Sequence, residues 1–403
     1  MTFIPYGRQD IRQEDIDLVS EVLAGDFLTQ GPMVAKFEAS FAELVGSKHC
    51  VAVSNGTAAL HTALLSVGVE KGDAVILPAN TFAATANAIL YCDATPIFVD
   101  ISFETKCIDA DRIEEAIELA TSKGLKPKAV IAVHYAGYPA PLEDISKICR
   151  KFSMSLIEDA CHAPGSSYQT KDGSWHKVGS GDHSDAACFS FHPVKHIAAG
   201  EGGCITTSNK DIASKSNLYS KHGITKDPKS FVNLDEAMTS DVVNPWFYEM
   251  HELGFNYRLS DIQCALAYSQ LQRFSANLER RRSLAKIYYE ALINVDSIEP
   301  GQKVDSNVSH AYHLFTVDID FNKIKLSRAK AMELIRKKNV GTQVHYIPIY
   351  KFPYYQKNQA KFLKLETPNT ESHYNRTLSI PLYHSLDIED ARYAINTIID
   401  AIK

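Results

Sequence analysis

No two of the eight cysteines, Cys50, Cys92, Cys107, Cys149, Cys161, Cys188, Cys204 and Cys264, stand in a C-x-x-C arrangement. Several lie in apolar, strand-like stretches where a free thiol behaves as a small hydrophobe, so reduced and inert cysteines are expected rather than disulfides or a zinc site. The fifteen histidines form neither H-E-x-x-H nor an H-x-E with paired cysteines, and no metal is expected. Excess basic charge is missing too. Forty-two Lys and Arg stand against 48 Asp and Glu, a net charge of -6, which leaves no sequence-wide surface for nucleic acid or anionic lipid. Apolar runs such as 129–133 fall far short of the roughly 20 residues that span a bilayer, and no charged-then-apolar signal opens the chain. The expectation is a cytoplasmic protein with neither a membrane nor a nucleic-acid partner. There is no internal repeat and no low-complexity tract. Nor does a G-x-G-x-x-G fingerprint follow the first strand, which argues against a nicotinamide-dependent reductase. What is present is 403 residues, 45% of them apolar, enough for more than one core.

Short apolar runs alternate with helical patterns between about residues 37 and 210. Runs at 51–53, 74–77, 96–99, 129–133, 155–157, 187–191 and 204–206 predict buried strands, and 58–66, 83–91, 112–120 and 142–152 predict helices. That alternation implies a mostly parallel sheet with helices on both faces, whose ligands bind beyond the carboxyl ends of the strands. Residues 221–250 lose the periodicity and predict a long loop, a functional or interaction element at that length. Ser260 then caps a helix expected to run, with a bend, to about Leu292. A strand at 312–317, a helix at 328–338, a tyrosine-rich stretch to Tyr355 and a last helix at 388–402 complete a separate α+β lobe. The expected division is a large domain over 1–260, followed by a connecting helix and small domain over 261–403.

Three stretches can carry chemistry. Ser54-Asn55-Gly56-Thr57-Ala58-Ala59 follows a strand and opens a helix. Its glycine, its hydroxyl and the N–H groups of Thr57, Ala58 and Ala59 suit a phosphate, though by itself S-N-G-T is more often a plain capping turn. In Glu158-Asp159-Ala160-Cys161-His162 an acid stands at the end of an apolar strand. Such an aspartate is more often a helix cap, but against a bound heterocyclic nitrogen it would hold that nitrogen protonated. Ser190 and Lys195, with Gly200-Glu201-Gly202-Gly203 behind them, leave a buried strand. That lysine is either ordinary and solvated or a desolvated amine of lowered pKa, the form Schiff-base chemistry requires. A phosphate, a pyridine nitrogen and an aldehyde are the three handles of pyridoxal phosphate, and the three stretches together are more specific than any alone.

With these motifs, together with Phe27-Leu28-Thr29-Gln30-Gly31-Pro32 and Gly254-Phe255-Asn256-Tyr257-Arg258-Leu259, the chain resembles over nearly its whole length the fold type I pyridoxal-phosphate aminotransferases acting on nucleotide-linked 4-keto sugars. The stretches Ile4-Pro5-Tyr6-Gly7, His134-Tyr135-Ala136-Gly137 and Gln343-Val344-His345-Tyr346-Ile347-Pro348-Ile349-Tyr350 are most similar to the branch serving pseudaminic acid synthesis. The resemblance implies a large α/β domain with a mostly parallel seven-stranded sheet and a smaller C-terminal α+β domain. It implies Lys195 as nucleophile and base, Asp159 opposite the pyridine nitrogen, and Thr57, Ala58 and Ser190 at the phosphate. Phe82 would stack on the ring and His162 lie near the phenolic oxygen, where the family often has glutamine. Asn256 would reach the phosphate held by a second subunit of a homodimer. Tyr6, Asp26, Phe27, Leu28 and Thr29, and Gln343, Val344, His345 and Tyr346, would line the sugar-nucleotide side. For Phe82 core packing, and for these last residues loop packing, remain open alternatives. The implied substrates are L-glutamate and a UDP-linked 4-keto-6-deoxy amino sugar. A perosamine-type or C3-directed aminotransferase is the near alternative, and a non-catalytic sugar-nucleotide-binding regulator a remote one. A dehydrating relative usually has histidine where this chain has Lys195.

Overall fold

Alternate residues of Asp73–Pro78 face opposite ways, Ala74 and Ile76 into one apolar core and Val75 and Leu77 into another. This strand sits inside the central sheet of the computed structural model, which describes residues 2–402. The sheet has eight strands, in the order His49–Val53, Gly203–Thr207, Ala186–Ser190, Ser155–Asp159, Lys126–Val133, Asp73–Pro78, Thr95–Val99 and Leu363–Lys364. Only Gly203–Thr207 runs against its neighbours, so the sheet is mostly parallel. Parallel strands of one sheet require crossovers, supplied here by Gly56–Ser66, Ala83–Tyr91, Ile113–Ser122 and Leu142–Lys151. The eighth strand corrects the expected seven. It comes from the C-terminal part of the chain, and two residues are too few to show periodicity.

One core packs Phe37, Phe41, Phe189 and Phe191 edge to face, and the other gathers Leu60, Leu64, Phe98 and Tyr355. Each such fully buried side chain contributes about 1.5–3 kcal/mol. With both faces filled, the rigid carboxyl edge of the sheet is where Ser54, Asn80, His134, Asp159 and Ser190 emerge together. Gly203 enters its strand at that edge, and a Cβ there would lie 2.6 Å from the backbone of Asn55. Gly203→Ala is therefore expected to lower stability by about 1–3 kcal/mol, read as a lowered urea midpoint, because the clash falls on fixed backbone.

Ser260 does cap the next helix. Its hydroxyl accepts the Gln263 N–H at 3.3 Å while Gln263 Oε1 accepts the Ser260 N–H at 3.3 Å. The helix is broken rather than bent, into Asp261–Leu271 and Phe274–Leu292. At the break, Arg273 donates to the fully buried Asp15 and pins the first helix, Gln13–Leu23. Ile298–Pro300, Phe315–Ile319 and Thr377–Ile380 form a small antiparallel sheet. It shares a third core with Phe274–Leu292, Arg328–Lys337 and Ile388–Ile402. The expected strand at Tyr312 starts instead at Phe315, because Tyr312 takes φ 49, a left-handed conformation no strand accepts. Residues 221–250 are not structureless: they carry the short helix Leu234–Ala237 and two-residue ladders, Ile224–Thr225 with Glu249–Met250 and Met238–Thr239 with Val242–Val243. Among the described residues all eight cysteines are free, no group of three His, Cys, Asp or Glu could hold a metal ion, and no helix is long and apolar enough to cross a membrane.

Candidate active site

The carboxyl edge of the sheet opens into a cleft of about 940 Å³, at the upper end for a small-molecule site and roomy enough for two ligands side by side. Helix Gly56–Ser66 points its amino end into it. The helix begins two residues earlier than periodicity predicted, and this changes which donors are free. Asn55 Oδ1 takes the Ala58 N–H at 2.8 Å and the Asn55 carbonyl takes that of Ala59 at 3.0 Å. Neither group is free for an anion, contrary to expectation. Among the described residues the unpaired donors at the helix mouth are the N–H groups of Gly56 and Thr57, joined by the Thr57 hydroxyl. Gly56 must be glycine, since a Cβ would meet Ser190 Cβ at 2.9 Å and Cys161 Sγ at 3.2 Å.

Asp159 ends its strand on the cleft floor, 7% exposed. Its Oδ2 accepts from Thr85 Oγ1 at 2.7 Å, Thr85 meets Thr81 at 2.7 Å, and the Cys161 N–H reaches Oδ1 at 3.3 Å. Lys195 enters from the turn after Ala186–Ser190, anchored by its own N–H on the His192 carbonyl at 2.8 Å. Its ammonium makes no hydrogen bond or ion pair among the described residues. Burial pulls its pKa below the ordinary lysine value, and Cys161 and Asp159 oppose that shift only in part. The cleft thus holds an amine whose pKa burial lowers, in the same cavity as a carboxylate that keeps its own donors.

Phe82, 59% exposed, stands at the rim with its ring 6.0 Å from that of Tyr346. Tyr6, His162, Ser190, His345 and Tyr346 also line the cleft. Asp26, Phe27, Leu28 and Thr29 do not. They lie exposed beside the next helix start, where the Leu28 carbonyl accepts the Asp261 N–H at 3.0 Å. Gln343 and Val344 stay outside too, the backbone of Gln343 paired with Ser379 at 3.0 and 2.7 Å. Asn256 is exposed and absent from the cleft of its own chain, while Phe255 and Tyr257 on either side line it and stack on each other at 4.9 Å.

Several cleft residues have no motif to reveal them. His61 sits one helical turn into Gly56–Ser66, its Nδ1 3.2 Å from the Tyr257 hydroxyl, and burial lowers its pKa to about 4. The His313 ring packs tilted against that of His162 at 4.3 Å, and its pKa is pushed well down, by burial first and then by His162 and Lys195. The segment carrying it is anchored from behind by the buried Arg281, which donates to the carbonyls of Tyr312, His313 and Leu382 at 3.2, 3.3 and 3.0 Å. The only sequence signal for Thr85 is its place in the first turn of Ala83–Tyr91, four residues after Thr81.

Fold and cleft together define an α/β enzyme with a deep ligand site at the carboxyl edge of its sheet. The chain belongs to the DegT/DnrJ/EryC1/StrS aminotransferase family, which it matches over residues 9–399. It is 36% identical over 398 residues to the uncharacterized protein MJ1066 of Methanocaldococcus jannaschii, covering 98% of this chain and 97% of that one. It is 35% identical over 403 residues to the spore coat polysaccharide biosynthesis protein SpsC of Bacillus subtilis, covering 100% and 97%. Among solved structures, PseC of Helicobacter pylori, an aminotransferase involved in the biosynthesis of pseudoaminic acid, superposes with a TM-score of 0.85 at 28% identity, covering 100% of this chain and 99% of that one. The aminotransferase TlmJ of Streptoalloteichus hindustanus superposes with a TM-score of 0.85 at 26% identity, covering 99% and 98%.

Proposed function

We propose that this protein transfers the amino group of L-glutamate to C4 of a UDP-linked 4-keto-6-deoxy amino sugar. The expected product is UDP-4-amino-4,6-dideoxy-N-acetyl-β-L-altrosamine, in pseudaminic acid biosynthesis. The observation that carries the reading is the Lys195 amine, without a partner among the described residues, in one cleft with Asp159 and the open mouth of Gly56–Ser66.

The cofactor is pyridoxal phosphate, which supplies, when bound, an aldehyde that takes up an amino group and a ring that draws electrons from the reacting carbon. The residues fit it. Two free N–H groups and a hydroxyl at a helix mouth suit its phosphate, with Ser190 beside them. Asp159, oriented by Thr85, suits a protonated ring nitrogen. Phe82 offers a ring face at the rim. Lys195, depressed toward its neutral form, serves as nucleophile and then carries the proton between substrate carbon and cofactor. The remaining cleft volume takes glutamate and the keto sugar in turn, with Tyr6, His345 and Tyr346 on its wall. Asn256, exposed outside its own cleft, reaches the phosphate held by a second copy, so the working unit is a homodimer in the cytoplasm.

With the purified holoenzyme, glutamate alone is expected to convert the cofactor from its aldehyde to its amine form, read as a shift of its absorbance band. A panel of UDP- and GDP-linked 4-keto-6-deoxy sugars then identifies the acceptor by product mass. An unchanged spectrum with glutamate would count heavily against the whole reading. Turnover restricted to a GDP sugar or a 3-keto sugar would replace the acceptor alone.

A further inference from the structure

The Ala136 backbone N–H points at Nδ1 of His162, 3.3 Å away. A backbone N–H can only donate, so Nδ1 must offer its lone pair and the single ring proton of the neutral imidazole must sit on Nε2. Nε2 lies 3.0 Å from the Tyr346 hydroxyl oxygen. With Nε2–H donating, that oxygen accepts, and its own proton has no other acceptor among the described residues. Tyr346 lines the cleft with Lys195, so its hydroxyl proton is left for whatever binds there. His162, by contrast, has both nitrogens engaged.

The arrangement is rigid. Ala136 is held at φ 58, a conformation that costs a non-glycine residue about 1–2 kcal/mol, and neighbouring bonds maintain it. The Leu314 N–H meets the Ala136 carbonyl at 3.2 Å, and the Gly137 carbonyl accepts from Ala311 N–H at 3.1 Å and Ser166 Oγ at 2.6 Å. His313 packs against the His162 ring at 4.3 Å, and the Tyr346 N–H is fixed on Asn80 Oδ1 at 3.2 Å. Burial, with Lys195, His345, His196 and His134 nearby, pushes the His162 pKa well down and so favours a ring with one proton, and the Ala136 N–H selects the nitrogen that holds it.

We propose that the hydroxyl of Tyr346, rather than His162, donates the hydrogen bond to an anionic or carbonyl oxygen of the ligand facing Lys195, and that His162 is the positioning residue that turns that hydroxyl inward. The inference rests on the aminotransferase reading of the same cleft. The ligand oxygen belongs either to the cofactor's phenolic group or to the keto sugar's carbonyl, and one donor serves either.

Nitrogen-15 NMR of selectively histidine-labelled apoprotein tests the tautomer without any cofactor. The expected His162 spectrum shows an unprotonated Nδ1 and a protonated Nε2, assigned by its absence in His162→Gln, and a protonated Nδ1 overturns the proposal. Equilibrium uptake of pyridoxal phosphate and keto-sugar kinetics locate the oxygen. If it is the cofactor's, Tyr346→Phe weakens uptake about tenfold to a hundredfold, the range for a hydrogen bond to a charged group, but leaves uptake of the 3-deoxy analogue unchanged. If it is the sugar's, uptake is unchanged and kcat/KM for the keto sugar falls by a similar factor, well beyond any change in the glutamate half-reaction. Glutamine can accept from Ala136 with its carbonyl and donate to Tyr346 with its amide, so His162→Gln restores most of what His162→Ala loses. Uptake and kinetics of Tyr346→Phe equal to wild type, or no difference between the two His162 variants, removes this inference alone. Failure of the wild-type protein to take up the cofactor removes the reading beneath it.

Discussion

Replacing Lys195 by alanine is expected to abolish turnover and leave the fold intact. Among the described residues the ammonium has no partner to orphan, and its backbone N–H is anchored on the His192 carbonyl. On the proposed reading it acts both as nucleophile and as proton carrier. General acid–base catalysis alone contributes roughly 10²–10⁴-fold, so the loss should exceed about 10⁴-fold. Glutamate-dependent absorbance change measures the loss, and circular dichroism checks the fold. A variant that still transaminates at the original rate would place the nucleophile elsewhere. The depressed pKa gives a second readout in Lys195→Met, which keeps the aliphatic stem. Burial lowers the folded pKa below that of the unfolded chain. Between those two values the unfolded state binds the extra proton, so wild-type stability without cofactor rises with pH across that window. Lys195→Met removes the desolvated charge. It should melt at or above wild type at pH 7, and the difference should shrink as pH climbs toward the ordinary lysine value. A wild-type protein that instead lost stability, relative to this variant, over the same rise would show that its amine gains a charge partner on folding, and a flat difference would show that it is well solvated.

What the sequence made legible follows from how each feature is encoded. The seven strands were visible because a strand buried on both faces must be apolar along its length, and the four crossover helices because they alternate with them. Lys195, Asp159 and Gly56 stand within a few residues of such strands, so the rule that ligands bind at carboxyl ends found them. Leu363–Lys364 and the ladders within 221–250 were not legible, since two-residue pairings leave no period. Nor could periodicity show that Asn55 would consume the Ala58 N–H, because capping depends on one rotamer. His61, Thr85 and His313 reach the cleft through packing, His313 from the C-terminal part of the chain. Asp26, Phe27, Leu28, Thr29, Gln343 and Val344 were assigned by resemblance, and within a single chain the fold puts them outside the cleft.

Asp159→Asn is expected to cost on the order of 10³-fold in rate with little change in shape. The substitution is isosteric, yet it removes the charge from a floor position whose polar neighbours are arranged for a carboxylate. Thr85 Oγ1 donates to Oδ2 at 2.7 Å and the Cys161 N–H points to Oδ1 at 3.3 Å. An amide satisfies one of these as acceptor but turns an N–H toward the other, so either the Thr81–Thr85 pair reverses its donor sense or one bond is lost. Without the charge a ring nitrogen opposite it is no longer held protonated, and removal of one preorganised electrostatic group is typically worth about 2.7–4 kcal/mol of barrier. Thr85→Val separates orientation from charge: it keeps the carboxylate but deletes its donor, and should cost only about tenfold. Single-turnover rates with glutamate for the two variants provide the comparison. Equal losses in both would mean that placement of the carboxylate, and not its charge, sets the rate, whereas an Asp159→Asn enzyme as fast as wild type would remove Asp159 from the chemistry.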